Sequence, residues 1–191
     1  MNAAAELQAL VNTAKLFGDL LLRELTAEQL ATLRSPEAAA ALAEVGVDVP
    51  QAMDGDDARR QLDELAAEYH ASFIAPHGGG APPIASLWTE GRYEGAVAAR
   101  IRVLARSAVV DFDAESARGA PVDHLGALLH LWAATSARAP WVAQEIASQH
   151  LAWTDEPLGR VAASSSGFYG DIARATGALV AVLREDATGN D

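Results

Sequence analysis

Residues 121–129 read Pro-Val-Asp-His-Leu-Gly-Ala-Leu-Leu, a proline followed by an acid–imidazole pair and an apolar run. Proline suits the first turn of a helix, where its missing N–H costs nothing, and a carboxylate there complements free backbone N–H groups. Apolar residues then recur at helical spacing from Leu125 to Trp132. We therefore predict a helix that opens at Pro121 and carries Asp123 in its first turn.

The same helical period runs outward through most of the chain. Apolar residues repeat in steps of three and four from Leu7 to Leu21, from Leu62 to Phe73 and from Phe168 to Val182. Half of the 191 residues are hydrophobic but only 6% are aromatic, which favours close helix packing over a β-rich core. We predict an all-α, single-domain helical bundle over residues 1–191.

Local signals mark several helix ends and loops. Thr26 with Gln29 has the spacing of a capping box, and Ser35-Pro36 offers an N-cap followed by proline at the first helical position. Aspartates, Pro50 and Gly55 predict an exposed linker near 47–57. Repeated glycine and proline predict an irregular loop near 76–83.

Composition excludes several classes of protein. The chain has no cysteine, which excludes disulfides and thiolate-bound metals. Its net charge of -12, with Lys15 as the sole lysine, disfavours nucleic acid. No apolar run approaches the roughly 20 residues of a membrane span, and the amino terminus does not have the pattern of a secretory signal. We expect a cytoplasmic protein without stable membrane insertion.

Enzyme and metal motifs are incomplete in this sequence. His77-Gly78-Gly79-Gly80 resembles an oxyanion-hole loop of some esterases, but the chain has no Gly-x-Ser-x-Gly nucleophile elbow. Its five histidines do not form a metal-binding pair, because His150 has no ligand four residues further on. We predict no catalytic residue, metal or cofactor, and keep a small hydrolase using the His77 loop as an alternative.

The order of three motifs resembles the TorD/DmsD family of molybdoenzyme maturation chaperones and their NarJ-like relatives. These are the Pro121–His124 segment, then His150-Leu151-Ala152-Trp153, then Phe168-Tyr169. The resemblance implies a TorD-like helical fold and a binding function. It implies as partner the precursor of a molybdopterin-containing oxidoreductase, recognised through its twin-arginine signal peptide and held until its cofactor is inserted.

The resemblance also implies a peptide-binding site. A tyrosine-bearing helix, a proline-rich loop and a Pro-x-x-Ser segment with a nearby aromatic residue precede the Asp–His pair, as in the family. Asp123 would accept a guanidinium of the twin-arginine motif. The alternative, purely structural interpretations are a helix cap for Asp123, a structural role for His124 and a core position for Trp88. The predicted peptide-binding residues are Asp123, His124, Trp88, Tyr69, Pro121 and Ser86.

Two further features stay open at the level of sequence. A helical adaptor or regulatory protein that binds another peptide is the main alternative function. The chain is expected to be a monomer or, through exchange across the 47–57 linker, a domain-swapped dimer.

Overall fold

The computed structural model describes residues 2–74, 80–108 and 119–188. Regular structure in these ranges is helical, and the β-type contact found there is an isolated antiparallel bridge between Ile84 and His124. The predicted all-α class is therefore confirmed. The α-helices are α1 (Ala3–Leu22), α2 (Ala27–Leu33), α3 (Pro36–Glu44), α4 (Gly55–Phe73), α5 (Ala85–Glu90), α6 (Ala96–Ser107), α7 (Leu125–Thr135), α8 (Pro140–Glu145), α9 (Asp155–Ser164) and α10 (Phe168–Thr188). A π-helical turn (Ile146–His150) and a 3₁₀ turn (Ala152–Thr154) lie between α8 and α9.

The two helix caps predicted from sequence are present. The Thr26 hydroxyl accepts a hydrogen bond from the Gln29 N–H, and the Gln29 side chain accepts from the Thr26 N–H, which completes the capping box of α2. Ser35 caps α3 by accepting from the Ala38 N–H, with Pro36 at the first helical position. Both caps use groups within three residues, which is why the sequence reveals them.

The segment predicted as an exposed linker near 47–57 is anchored at both ends. Val47 is fully buried, and α4 already begins at Gly55, whose φ of +58° is the left-handed conformation that glycine adopts without strain. Between them, the Arg34 guanidinium donates to the carbonyl oxygens of Pro50 at 2.8 Å and Gln51 at 2.6 Å. Asp48 and residues 51–57 are exposed.

Contacts within the chain group it into two compact units, which interleave along the sequence. Unit 1 consists of Met1–Leu22, Pro83–Glu156 and Gly177–Asp191, and unit 2 of Arg23–Pro82 and Pro157–Thr176. In unit 1, α1 packs along α7. Gly18 and Gly126 face each other in this packing, and a Cβ built on Gly126 would lie 2.6 Å from the Gly18 carbonyl oxygen. The two backbones approach closely because neither residue has a side chain.

Unit 2 is built on an aromatic cluster where α4 meets the start of α10. The ring of Tyr169 lies 5.2 Å from Tyr69, 5.9 Å from Phe73 and 5.2 Å from Phe168, each with tilted or edge-on geometry. Its hydroxyl oxygen accepts a hydrogen bond from the buried Leu25 N–H at 3.3 Å. Glu68 of α4 accepts from the Tyr169 N–H at 3.0 Å and so satisfies the first turn of α10.

No helix in the described ranges is long and apolar enough to span a bilayer. The His77 glycine loop, on which the hydrolase alternative rests, lies outside the described residues except for Gly80.

Candidate functional site

Segments 83–86 and 121–125 are held together by three hydrogen bonds within unit 1. The Leu125 N–H donates to the Pro83 carbonyl at 2.8 Å, and the Ala85 N–H donates to the Asp123 carbonyl at 3.0 Å. The Asp123 carboxylate, through Oδ2, accepts from the Ser86 N–H at 2.8 Å. We call this set of contacts the Asp123 clamp.

The clamp corrects the role that sequence predicted for Asp123. Helix α7 begins at Leu125, not at Pro121, and His124 rather than Asp123 is its N-cap. Asp123 instead satisfies a free N–H in the first turn of α5, whose own N-cap residue, Ile84, has no side-chain acceptor. The carboxylate therefore caps a helix that lies 37 residues earlier in the chain.

His124 is the buried N-cap residue of α7, and its pKa lies well below the usual value for histidine. Its Nδ1 accepts a hydrogen bond from the Gly126 N–H at 3.1 Å, so that nitrogen must be unprotonated. Burial lowers the pKa of His124 from 6.5 to about 4, and the neighbouring Asp123 carboxylate offsets only part of this effect. The imidazole is therefore neutral at physiological pH.

Two side-chain atoms in the clamp have no hydrogen-bond partner among the described residues. These are Asp123 Oδ1 and Ser86 Oγ, and both residues are fully enclosed, with 0% exposure. Burial of a carboxylate oxygen without a hydrogen-bond partner is costly. Because Asp123 is fully enclosed, a guanidinium from outside would reach its carboxylate only after the surrounding residues moved.

The six predicted residues fall into two groups. Ser86, Asp123 and His124 meet at the clamp, and Pro121 adjoins it through its carbonyl, which accepts from the His124 N–H at 2.9 Å. Trp88 is half-buried on α5. Tyr69 instead belongs to the aromatic cluster of unit 2, where burial raises its pKa to about 12.

Sequence reasoning missed an apolar groove in unit 1, between α6 and the α8 region, which has a volume of about 550 Å³. The Trp141 side chain is 54% exposed at this groove, and Val103 is 62% exposed. Helical spacing shows that residues share a face but not whether another element covers it, which is why the sequence does not reveal the groove. The groove is lined by Thr89, Val97, Ala99, Arg100, Val103, Leu104, Ser107, Trp141, Glu145, Gln149, His150 and Trp153.

Charged groups line the groove beside His150. Burial lowers the pKa of His150, the Glu145 carboxylate opposes that shift, and the Arg100 guanidinium reinforces it. The Trp153 indole N–H donates to the His150 carbonyl at 2.7 Å, which fixes the ring at the groove wall. Within the described ranges, no cluster of three His, Asp or Glu side chains has the arrangement of a metal site.

The described residues thus form an all-helical fold in which the Asp123–His124 pair is joined to the Pro83–Ser86 segment. The chain belongs to the nitrate reductase delta subunit family, whose model matches residues 21–156. This family serves molybdoenzyme maturation and is not catalytic, so the expected non-enzyme class is confirmed. No curated protein matches the chain in sequence. Both the Asp123 clamp and the groove lie within the matched residues.

Proposed function

We propose that this chaperone binds the twin-arginine signal peptide of a molybdopterin-containing oxidoreductase in the cytoplasm, and holds the precursor until its cofactor is inserted. The family supplies the general role in molybdoenzyme maturation. The proposal adds the part of the client that is recognised and the surface that recognises it.

The observation that carries the proposal is the exposure of Trp141 at the groove. A tryptophan that is more than half exposed beside an apolar groove leaves a large apolar surface in water, and covering that surface is favourable. A twin-arginine signal peptide has an apolar stretch beside its basic residues. Tryptophan commonly anchors such contacts, because its large ring excludes water while its N–H stays free to donate.

Charge supports the same partner. The net charge of -12 attracts a basic peptide over several ångströms and raises the rate of encounter. At the groove itself, Glu145 is an exposed carboxylate next to the apolar wall. We propose that the apolar stretch of the peptide lies against Trp141 and Val103, with its basic residues toward Glu145.

The residues predicted from the sequence also have a role in this proposal. Trp88 and Pro121 are half-buried, so each has surface that a peptide can contact. Ser86, Asp123 and His124 are buried and would contribute by supporting that surface, whereas Tyr69 is buried in unit 2 and would support the fold of that unit.

Replacing Trp141 with alanine should lower the affinity for a synthetic twin-arginine signal peptide by about tenfold or more, the usual loss at an aromatic hot spot. The free energy of unfolding should stay nearly constant, because the ring is largely outside the core. Isothermal titration calorimetry of the purified variant measures the affinity. Tyr93→Ala is the matched control, since Tyr93 is 59% exposed in the same unit but does not line the groove. Equal affinities for the two variants would rule out the groove as the binding surface.

The identity of the client needs a separate experiment. We expect affinity capture of the tagged protein from its native host to retain a molybdopterin oxidoreductase precursor, and Trp141→Ala to retain much less of it. Retention of an unrelated protein in place of an oxidoreductase would favour the helical adaptor. Retention of the precursor after its signal peptide has been deleted would place recognition elsewhere on the client.

A further inference from the structure

We propose that Asp123 is a positioning residue, which controls peptide binding through two consecutive helix caps and does not itself touch the peptide. The first cap is the contact of Asp123 with α5, and the second joins the end of α5 to α6, a wall of the groove. This inference rests on the proposed function for its readout, although the capping relay is a property of the chain alone.

The first cap fixes a helix that is too short to persist unaided. Helix α5 has six residues, and isolated helices of that length are unstable because nucleation is costly. Its N-cap residue, Ile84, provides no side-chain acceptor, so the Asp123 carboxylate on the Ser86 N–H takes over that function. The Ala85 N–H, bonded to the Asp123 carbonyl, fixes the same turn.

The second cap is made by Glu90, the last residue of α5. Its carboxylate accepts from the Val97 N–H at 2.9 Å and from the Ala96 N–H at 3.0 Å, and these two bonds lower the pKa of Glu90. Helix α6 has glycine at its N-cap position and therefore no side-chain cap of its own. A side chain at Gly95 would collide with the Glu90 carboxyl group, so the glycine leaves room for this contact.

The relay ends at the groove. Val97, which Glu90 caps, lines the groove, as do Arg100, Val103 and Leu104 further along α6. Thr89 of α5 lines it as well, and its hydroxyl donates to the Ala85 carbonyl at 2.8 Å within the turn that Asp123 holds. Both walls contributed by α5 and α6 are thus fixed by carboxylate caps, and the chain of caps begins at Asp123.

The geometry favours this role over a direct ion pair. Asp123 has no exposed surface, and its Oδ2 is already occupied by the Ser86 N–H. A neutral amide of the same shape can accept that bond, whereas it cannot replace a charge opposite a guanidinium. The conservative substitution therefore separates positioning from contact.

The test compares Asp123→Asn with Asp123→Ala, and Glu90→Gln with Glu90→Ala, in titrations with a synthetic twin-arginine signal peptide. We expect the two alanine variants to lose about tenfold in affinity and the two amide variants to stay within about threefold of the unmodified protein. Replacing both arginines of the peptide by glutamine should lower its affinity by the same factor for Asp123→Asn as for the unmodified protein. Loss of affinity in Asp123→Asn equal to that in Asp123→Ala, or an unchanged affinity in Glu90→Ala, would overturn the relay.

Hydrogen exchange supplies a readout that does not depend on the peptide. The amides of Ala96 and Val97 should exchange faster in Asp123→Ala as well as in Glu90→Ala, while those of the α1 and α7 packing keep their protection. If Asp123→Ala does not fold, Glu90→Ala still tests the second cap, since the Glu90 side chain is partly exposed. An unmodified protein that fails to bind the peptide would refute the proposed function, whereas unchanged exchange at Ala96 in Asp123→Ala would refute the relay.

Discussion

Replacement of Gly126 by alanine should destabilise the protein by roughly 2 to 3 kcal/mol, the upper part of the range for overpacking in a core. The added Cβ would lie 2.6 Å from the Gly18 carbonyl oxygen and 2.7 Å from Leu22 Cγ. The leucine can rotate away, but a helix backbone carbonyl cannot. The packing of α1 against α7 must therefore open, and the midpoint of urea denaturation should fall accordingly.

Gly177 provides the matched control in the same unit. It lies inside α10, and a Cβ there would meet no atom within 4 Å. Gly177→Ala should therefore stabilise the protein by about 0.5 to 1 kcal/mol, because alanine loses less backbone entropy in a helix. A Gly126→Ala protein with the denaturation midpoint of the unmodified protein would show that α1 and α7 do not need this close approach.

The second large effect concerns acid stability. The pKa of His124 is 6.5 in the unfolded chain and about 4 in the folded one, so between these values the unfolded state holds an extra proton. Stability is therefore fully present above about pH 6.5 and is lost as the pH falls toward 4. The expected loss is about 3 kcal/mol in total and about 2 kcal/mol between pH 7 and pH 4.5, since each unit of pKa shift is worth about 1.4 kcal/mol.

Substitution of His124 by asparagine isolates this effect. The asparagine side-chain oxygen takes the place of Nδ1 as acceptor for the Gly126 N–H and keeps the N-cap of α7, but it does not titrate. Urea denaturation at a series of pH values should show that the free energy of unfolding falls by about 2 kcal/mol less for His124→Asn than for the unmodified protein between pH 7 and pH 4.5, which is a correspondingly shallower slope. His150, whose pKa burial also lowers, is present in both proteins and cancels in the comparison. Equal slopes would mean that His124 becomes protonated in the folded state without cost.

Local interactions were the part of the fold that the sequence predicted best. The capping box at Thr26 and the cap at Ser35 act within three residues of the helix they begin, and both are where the pattern placed them. The helical class was predictable for the same reason, because the apolar period of a helix is written along the chain itself. Phe168 likewise opens the last helix, as expected.

The Asp–His pair was recognisable in the sequence, but its contacts were not. Sequence singled out Asp123 and His124, and it assigned the carboxylate to the wrong helix because a cap across 37 residues leaves no local signature. No pattern in the sequence indicated the groove. Trp141 has the helical spacing of a core residue, and its exposure depends on which elements fail to cover it.

The sequence by itself determined the helical class, the family and the residues of the Asp–His motif, since these depend on residue type and spacing along one segment. Only the tertiary structure decided that Asp123 caps α5, that Glu90 caps α6 and that Trp141 stands exposed at a groove. The physical reason is that helix caps and burial depend on which groups are neighbours in space. In this chain the decisive neighbours come from segments that are distant in sequence.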